Sequence, residues 1–401
     1  MTGVVDILFV IDNSPSMLPK QQALAQNIPK FMELLDQTVM DASTTSGRMI
    51  DYHLGVVTSD IGSRVAPNTP WRAAIGSCDT YAGDDGVLQN TPCTMRNLTG
   101  KALAACNAVC ADPAIVPGLD PGTMKPYRFI WRKMDGTTNV PKVLDTNTKK
   151  DIGPAKAFQC MALLGDSGCA IEGPLEAMRR ALDSHAPENA GFLRKNSLLA
   201  VVFITDEDDC SVQLSRRAEN NPATRDCAAG DESPECFNYD FRCLAASLTC
   251  DSPLSSPGLK RGCRERPKNY LEPVADRYVQ FLKGLRPMES GRLISGIWTM
   301  PPLEKGGQLR VSDFGTGGPT RFLYRATGTA ATCVDSADPN VFGLAQRRLS
   351  QFACSLSGSY QQSICNSSGW DLALYNIYQA IVTKAKMLPP GETLDLMGCP
   401  P

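Results

Sequence analysis

Histidine is almost missing from this sequence: its 401 residues hold only His53 and His185, against sixteen cysteines. No two cysteines stand in a Cys-x-x-Cys pair, so the ligand spacing of zinc ribbons and fingers is absent. Neither histidine can be placed by sequence beside a serine and a carboxylate, which leaves a hydrolase triad without support. An excess of either charge is lacking too. The 40 basic and 42 acidic residues leave a net charge of -2 and are spread along the chain. That excludes an electrostatic footprint for nucleic acid or an anionic membrane. No apolar run reaches the roughly 18–20 residues that span a bilayer. No basic, apolar leader with a small-residue cleavage site precedes the first apolar run, residues 4–11. The expectation is an exported protein whose leader was removed and whose Met1 was added for expression. Any lipid anchor would lie in the missing piece.

An even number of cysteines fits full pairing as disulfides, which persist in the periplasm, at the cell surface and outside the cell. A secreted or cell-surface location is therefore expected. Residues 4–11 are short, rich in β-branched side chains and apolar on both faces, as a buried parallel strand requires. Leu24, Ile28, Phe31 and Leu35 follow at helical spacing, with Pro29 expected to kink or restart that helix. A strand at 51–58, a helix from Glu172 with Pro174 in its first turn, and a second apolar strand at 198–204 come next. A helix at 270–285, a strand at 293–298 and a helix at 370–386 complete the alternation. The predicted fold is one α/β domain over 1–401, a doubly wound, mostly parallel sheet. Two cysteine-containing insertions interrupt it, at 63–157 and 207–265. The first is rich in Gly, Pro and Asn over 63–125, with one candidate edge strand at 128–131; the second holds six cysteines between Cys210 and Cys263. Both are expected to be loops stapled locally by disulfides, with Cys160–Cys169 a candidate pair and the remaining connectivity open.

In open parallel sheets, ligands bind beyond the carboxyl ends of the strands, where strand order reverses. The loops after residues 11, 58 and 204 are the places to look. The first reads Asp12-Asn13-Ser14-Pro15-Ser16, a turn that offers one carboxylate and two hydroxyls. Hard oxygens with a single full charge suit Mg2+, which keeps several waters and takes few carboxylates. The same residues would also serve as an ordinary helix N-cap or turn. The second apolar strand ends in Ile204-Thr205-Asp206, with another carboxylate at the equivalent level. Beside it, Glu207-Asp208-Asp209 reads either as a calcium site or as a solvated acidic loop. Asp60 either lines the same cleft or caps a turn, and Thr58 is a weak candidate.

Phe9-Val10-Ile11-Asp12-Asn13-Ser14-Pro15-Ser16-Met17 and Val202-Phe203-Ile204-Thr205-Asp206 resemble the von Willebrand factor A-type domain of integrin I domains and many bacterial surface proteins. The resemblance covers the framework and not the two insertions. It implies a metal-ion-dependent adhesion site holding Mg2+, with Mn2+ or Ca2+ as alternatives. Ser14 and Ser16 would bind directly, and Asp12 and Asp206 directly or through water. The family's second loop supplies a threonine. Here that loop reads Gly165-Asp166-Ser167-Gly168-Cys169 and has none, so Ser167 is the substitute, Asp166 the second choice, and Glu207 a further lining residue. The cysteine-rich form is similar to exported lipoproteins of gliding delta-proteobacteria, one of them an adhesin, which implies the outer membrane surface. The resemblance implies a binding protein and not an enzyme, with the cation bridging to a carboxylate on a partner protein or surface ligand. The alternatives are a structural scaffold with a vestigial metal site and a metal-assisted hydrolase, for which no base or nucleophile is visible in the sequence.

Overall fold

The computed structural model describes residues 3–40, 50–62, 83–110, 115–169, 172–183, 187–211, 271–299, 346–356 and 360–385, with short segments at 248–249, 258–260, 264–265, 303–304, 308–311, 333–335 and 342–343. His185 and most of the expected insertion at 207–265 lie outside the described residues.

Six strands form the central sheet: β1 Gly3–Ile11, β2 Ile50–Thr58, β3 Ile130–Arg132, β4 Leu198–Thr205, β5 Arg292–Trp298 and β6 Tyr360–Gln362. Their spatial order is β6-β5-β4-β1-β2-β3, all parallel except the edge strand β3, which runs antiparallel to β2. The chain builds outward from β1 through β2 to β3, then returns to the other flank of β1 and builds outward again. Strand order therefore reverses between β1 and β4, the position at which open parallel sheets form a crevice.

Alternation along the strands explains why both faces are covered. In β1, Val5, Ile7, Phe9 and Ile11 point into one core, while Leu8 and Val10 point into the other. The first core is closed by helix α1, Leu18–Met40, together with α3, Gly153–Met161, and α7, Trp370–Ala385. The second is closed by α4, Pro174–Leu182, by the π-helical turn Val274–Val279 that runs into α5, Gln280–Leu285, and by α6, Arg347–Cys354. A strand apolar on both faces is stable only between two such layers, and both layers are present.

Three sequence expectations need correction. Pro29 does not restart α1, which runs unbroken from Leu18 to Met40. The carbonyl of Ala25, which the amide missing at Pro29 would have satisfied, accepts instead from Gln159 Nε2 of α3 at 2.8 Å. The stretch 63–157 is not all loop: besides the expected edge strand, which is β3, it contains α2 at Gly100–Val109 and the start of α3. Cys160 pairs with Cys110 and not with Cys169, because the end of α2 packs against α3 and brings their Cα atoms to 5.6 Å.

Cys93–Cys106 and Cys333–Cys365 are also bridged, and Cys169, Cys210 and Cys354 are disulfide-bonded as well. The Cys93, Cys106 and Cys110 sulfurs lie within 4.8 Å of one another. Bonded in disulfides, they offer no thiolate to a metal, and they pack with Ala25 and Leu163 as a small satellite core that ties α2 to α1 and α3. Removing the Cys110–Cys160 bridge, which spans 50 residues, by a double alanine substitution should cost about 2–4 kcal/mol in a denaturant titration. A loss below about 0.5 kcal/mol would show that the bridge contributes no stability. Among the described residues, no helix is long and apolar enough to cross a membrane.

Candidate functional site

The register sets Ile11 level with both Thr58 and Ile204, so β1, β2 and β4 end at the same height. The Asp12 amide donates to the Ile204 carbonyl at 2.9 Å and closes the gap between the two exits. Asp12 is fully buried. Its Oδ1 accepts from the Ser14 amide at 2.8 Å and from Ser59 Oγ at 3.1 Å, and its Oδ2 accepts from Thr205 Oγ1 at 2.9 Å. One carboxylate thus ties together the exits of all three strands.

Pro15 begins a single 3-10 turn, Pro15–Met17, which leads into α1. Ser14 stands at the N-cap of that turn yet makes no capping bond with its side chain. The capping alternative is therefore not what its hydroxyl does. Ser14 Oγ lies 3.2 Å from Ser16 Oγ, and Ser16 Oγ donates to Asp206 Oδ1 at 3.2 Å. Asp12, Ser14, Ser16 and Asp206 form one chain of contacts at the rim of the sheet.

Gln21 secures the second loop. Its Oε1 accepts from the Leu164 and Gly165 amides, and its Nε2 donates to the carbonyls of Asp12 and Gly165. Gly168 donates its amide to the Asn13 carbonyl at 2.9 Å, and a Cβ there would lie 2.3 Å from Asn13 Oδ1. The loop is thereby held against the Asp12 turn, and a side chain at 168 would have to displace the Asn13 amide group. On it, Ser167 is exposed and Asp166 half-buried. Neither takes part in the hydrogen bonds that join Asp12, Ser14, Ser16 and Asp206.

Two residues absent from the sequence-based set are present. Glu172, bridged to Asp60 just before α4, is 1% exposed, and its Oε2 has no hydrogen-bond partner among the described residues. Burial, then the charges of Glu207 and Asp12, push its carboxyl well above the ordinary range. Glu207 is pushed up in the same way, first by burial and then by Asp206 and Asp12. Asp12 itself is raised to about 6 by burial and by Asp206. The second residue is Lys20, whose buried ammonium pairs with Asp206 Oδ2. Glu172 could have been suspected from its place at the end of the second loop. Nothing in the sequence singles out Lys20, because a lysine in a helix is normally solvated.

The rest of the acidic run is structural. Asp208 caps α6 by accepting the amides of Arg347, Arg348 and Leu349. Asp209 accepts the Leu175 amide at the start of α4 and pairs with the buried Arg348. Asp60 holds a turn, its Oδ1 accepting the Gly62 amide at 2.7 Å. Thr58 donates to Asp84 and leaves the site. His53 lies within β2, its ring 4.7 Å from that of Phe129 and its Nδ1 bonded to the Phe192 carbonyl. Comparison with family models found no match, and comparison with curated proteins found none either.

Proposed function

We propose that this protein is a cell-surface or secreted binding module in which the rim site holds a divalent cation, Mg2+ by preference, that bridges to a carboxylate on a partner. The single observation that carries this reading is the meeting of Asp12, Ser14 and Ser16 with Asp206 at the reversal point of the sheet. The resemblance of both segments to the von Willebrand factor A-type domain supports it. So does the donor chemistry. The Ser14 and Ser16 hydroxyls stand in line between the Asp12 turn and Asp206, and among the described residues Glu172 Oε2 and Asn13 Oδ1 are buried without hydrogen-bond partners. Burial first, and then the neighbouring carboxylates, raise Asp12, Glu172 and Glu207, and a bound cation would offset both effects.

Asp12, Ser14, Ser16 and Asp206 would hold the cation, with Ser167 exposed on the neighbouring loop. A bound cation supplies charge neutralisation, so an acidic partner group can approach an otherwise negative pocket. The disulfides support an oxidising location, and attachment to an outer membrane through a lipid anchor belongs to the same proposal. Binding of a carboxylate-bearing partner should require Mg2+ or Mn2+ and vanish with chelator. Partner binding that survives chelation would end this reading.

A pH dependence follows. Asp12 must be ionised to hold the cation, so Mg2+ affinity should weaken as pH falls through about 6. Binding near pH 6 should also release protons, which calorimetry in buffers of different ionisation enthalpy detects. In chelator the sign reverses. A carboxyl raised in the folded state binds its proton more readily there than in the unfolded chain, so the metal-free protein should gain stability as pH falls from 7 towards 5. The buried Asp36 and Asp208, also raised to about 6, act in the same direction. A metal-free melting temperature that falls over this range would contradict the assignment.

The second reading is a scaffold with a vestigial site. The Lys20–Asp206 pair favours it, since an ammonium already stands on one of the carboxylates. A magnesium titration separates the two, because a dead site takes up no cation.

A further inference from the structure

Lys20 is an expensive residue in its place. It is the third residue of α1, where the helix dipole disfavours positive charge. Its side chain is fully buried, so its hydration is lost as well. Its Nζ pairs with Asp206 Oδ2, donates to the Ser16 carbonyl at 3.2 Å, and sits 4.7 Å from the centre of the Phe342 ring. Among the described residues, Asp206 is the carboxylate with which that ammonium forms its ion pair. Asp206 Oδ1, in turn, faces Ser16. The two oxygens of one carboxylate therefore look towards the serine side of the site and towards the lysine.

We infer that Lys20 is a built-in competitor for the divalent cation: its ammonium occupies Asp206 in the metal-free protein, and a cation must displace or repel it to bind. The inference rests on the cation-binding reading above and adds a threshold to it. A divalent ion on Asp206 and an ammonium on the same carboxylate repel each other across a few ångströms in a site shielded from water. Glu207, whose carboxyl already feels the Lys20 charge, is an alternative acceptor for the displaced ammonium. The resulting site loads at a higher cation concentration than its oxygens alone would require.

The test is calorimetric titration of the whole chain with MgCl2, comparing wild type with Lys20→Met and Lys20→Arg, alongside thermal unfolding in chelator and in excess Mg2+. Lys20→Met should bind Mg2+ at least about tenfold more tightly than wild type, because the repulsion is removed. In chelator it should melt at a lower temperature than wild type, since Asp206 is then buried unpaired, and Mg2+ should raise its melting temperature more than that of wild type. Lys20→Arg keeps the charge and should bind no more tightly than wild type. Binding by Lys20→Met alone, with no heat from wild type, would also support the inference. Equal or weaker binding by Lys20→Met would overturn it while leaving the cation reading intact. No binding by any of the three proteins would overturn both. If Lys20→Met does not fold, Lys20→Gln is carried through the same comparison with the same outcomes.

Discussion

Replacing Asp12 with asparagine is expected to weaken Mg2+ binding by at least about a hundredfold while raising the stability of the metal-free protein. Both halves follow from its surroundings. Asp12 is fully buried, and its carboxyl is raised to about 6 by burial and by Asp206. At pH 7 the ionised form therefore costs the apo fold free energy, about 1–3 kcal/mol for a shift of that size. Asparagine removes the charge and keeps an oxygen for the Ser14 amide and Ser59 hydroxyl, which donate to one carboxylate oxygen. Thr205, which donates to the other, also reaches the Glu207 carbonyl at 3.2 Å and need not be left unpaired. The fold should survive, so lost binding cannot be ascribed to unfolding. Opposite responses in the two conditions are the signature: a higher melting temperature than wild type in chelator, and no further rise on adding Mg2+. Near wild-type Mg2+ affinity in Asp12→Asn would remove Asp12 from the ligand set.

The largest expected loss of stability lies a few residues away and should be independent of metal. Arg348 is 3% exposed, and its guanidinium donates through Nε and Nη2 to Asp209 Oδ2 and to the Glu272 carbonyl. Asp209 also accepts the Leu175 amide and the Ser211 hydroxyl, so the pair joins α4 and α6 behind the β4 exit. Arg348→Ala leaves that carboxylate buried without its cation, which should cost about 3–5 kcal/mol in a denaturant titration. The loss should be the same in chelator and in excess calcium, because Asp208 and Asp209 are committed to helix N-termini and to Arg348. Calcium that restored the lost stability would assign these carboxylates to a metal after all.

Much of the framework was legible because it is written in local patterns. Short apolar runs rich in β-branched residues, such as 4–11 and 198–204, read as strands covered on both sides, and both lie at the centre of the sheet. Asp12 and Asp206 were legible for the same reason, since Asp12 directly follows the first run and Asp206 stands one residue beyond the second. Short or weakly periodic elements were not. The helices at Gly100–Val109 and Arg347–Cys354 and the short strand Tyr360–Gln362 owe their form to neighbours. Pro29 misled because the partner that replaces its missing hydrogen bond, Gln159, is remote in sequence. The acidic run 207–209 looks uniform in sequence, yet its three carboxyls have three different tasks.

By itself, the order of apolar runs and helical repeats determined an α/β sheet with two covered faces and marked which turns stand at its carboxyl edge. That much follows because burial of a strand or a helix face is encoded in side-chain periods of two and of about 3.6 residues. The company those turns keep was decided only by the tertiary structure. Glu172 and Lys20 join the rim because β1 and β4 lie side by side, and the Gln21 clamp draws the second loop onto them. Contacts between residues far apart in the chain leave no periodic trace, so the charge balance of the rim, on which the proposed competition between ammonium and cation rests, exists only once the chain has folded.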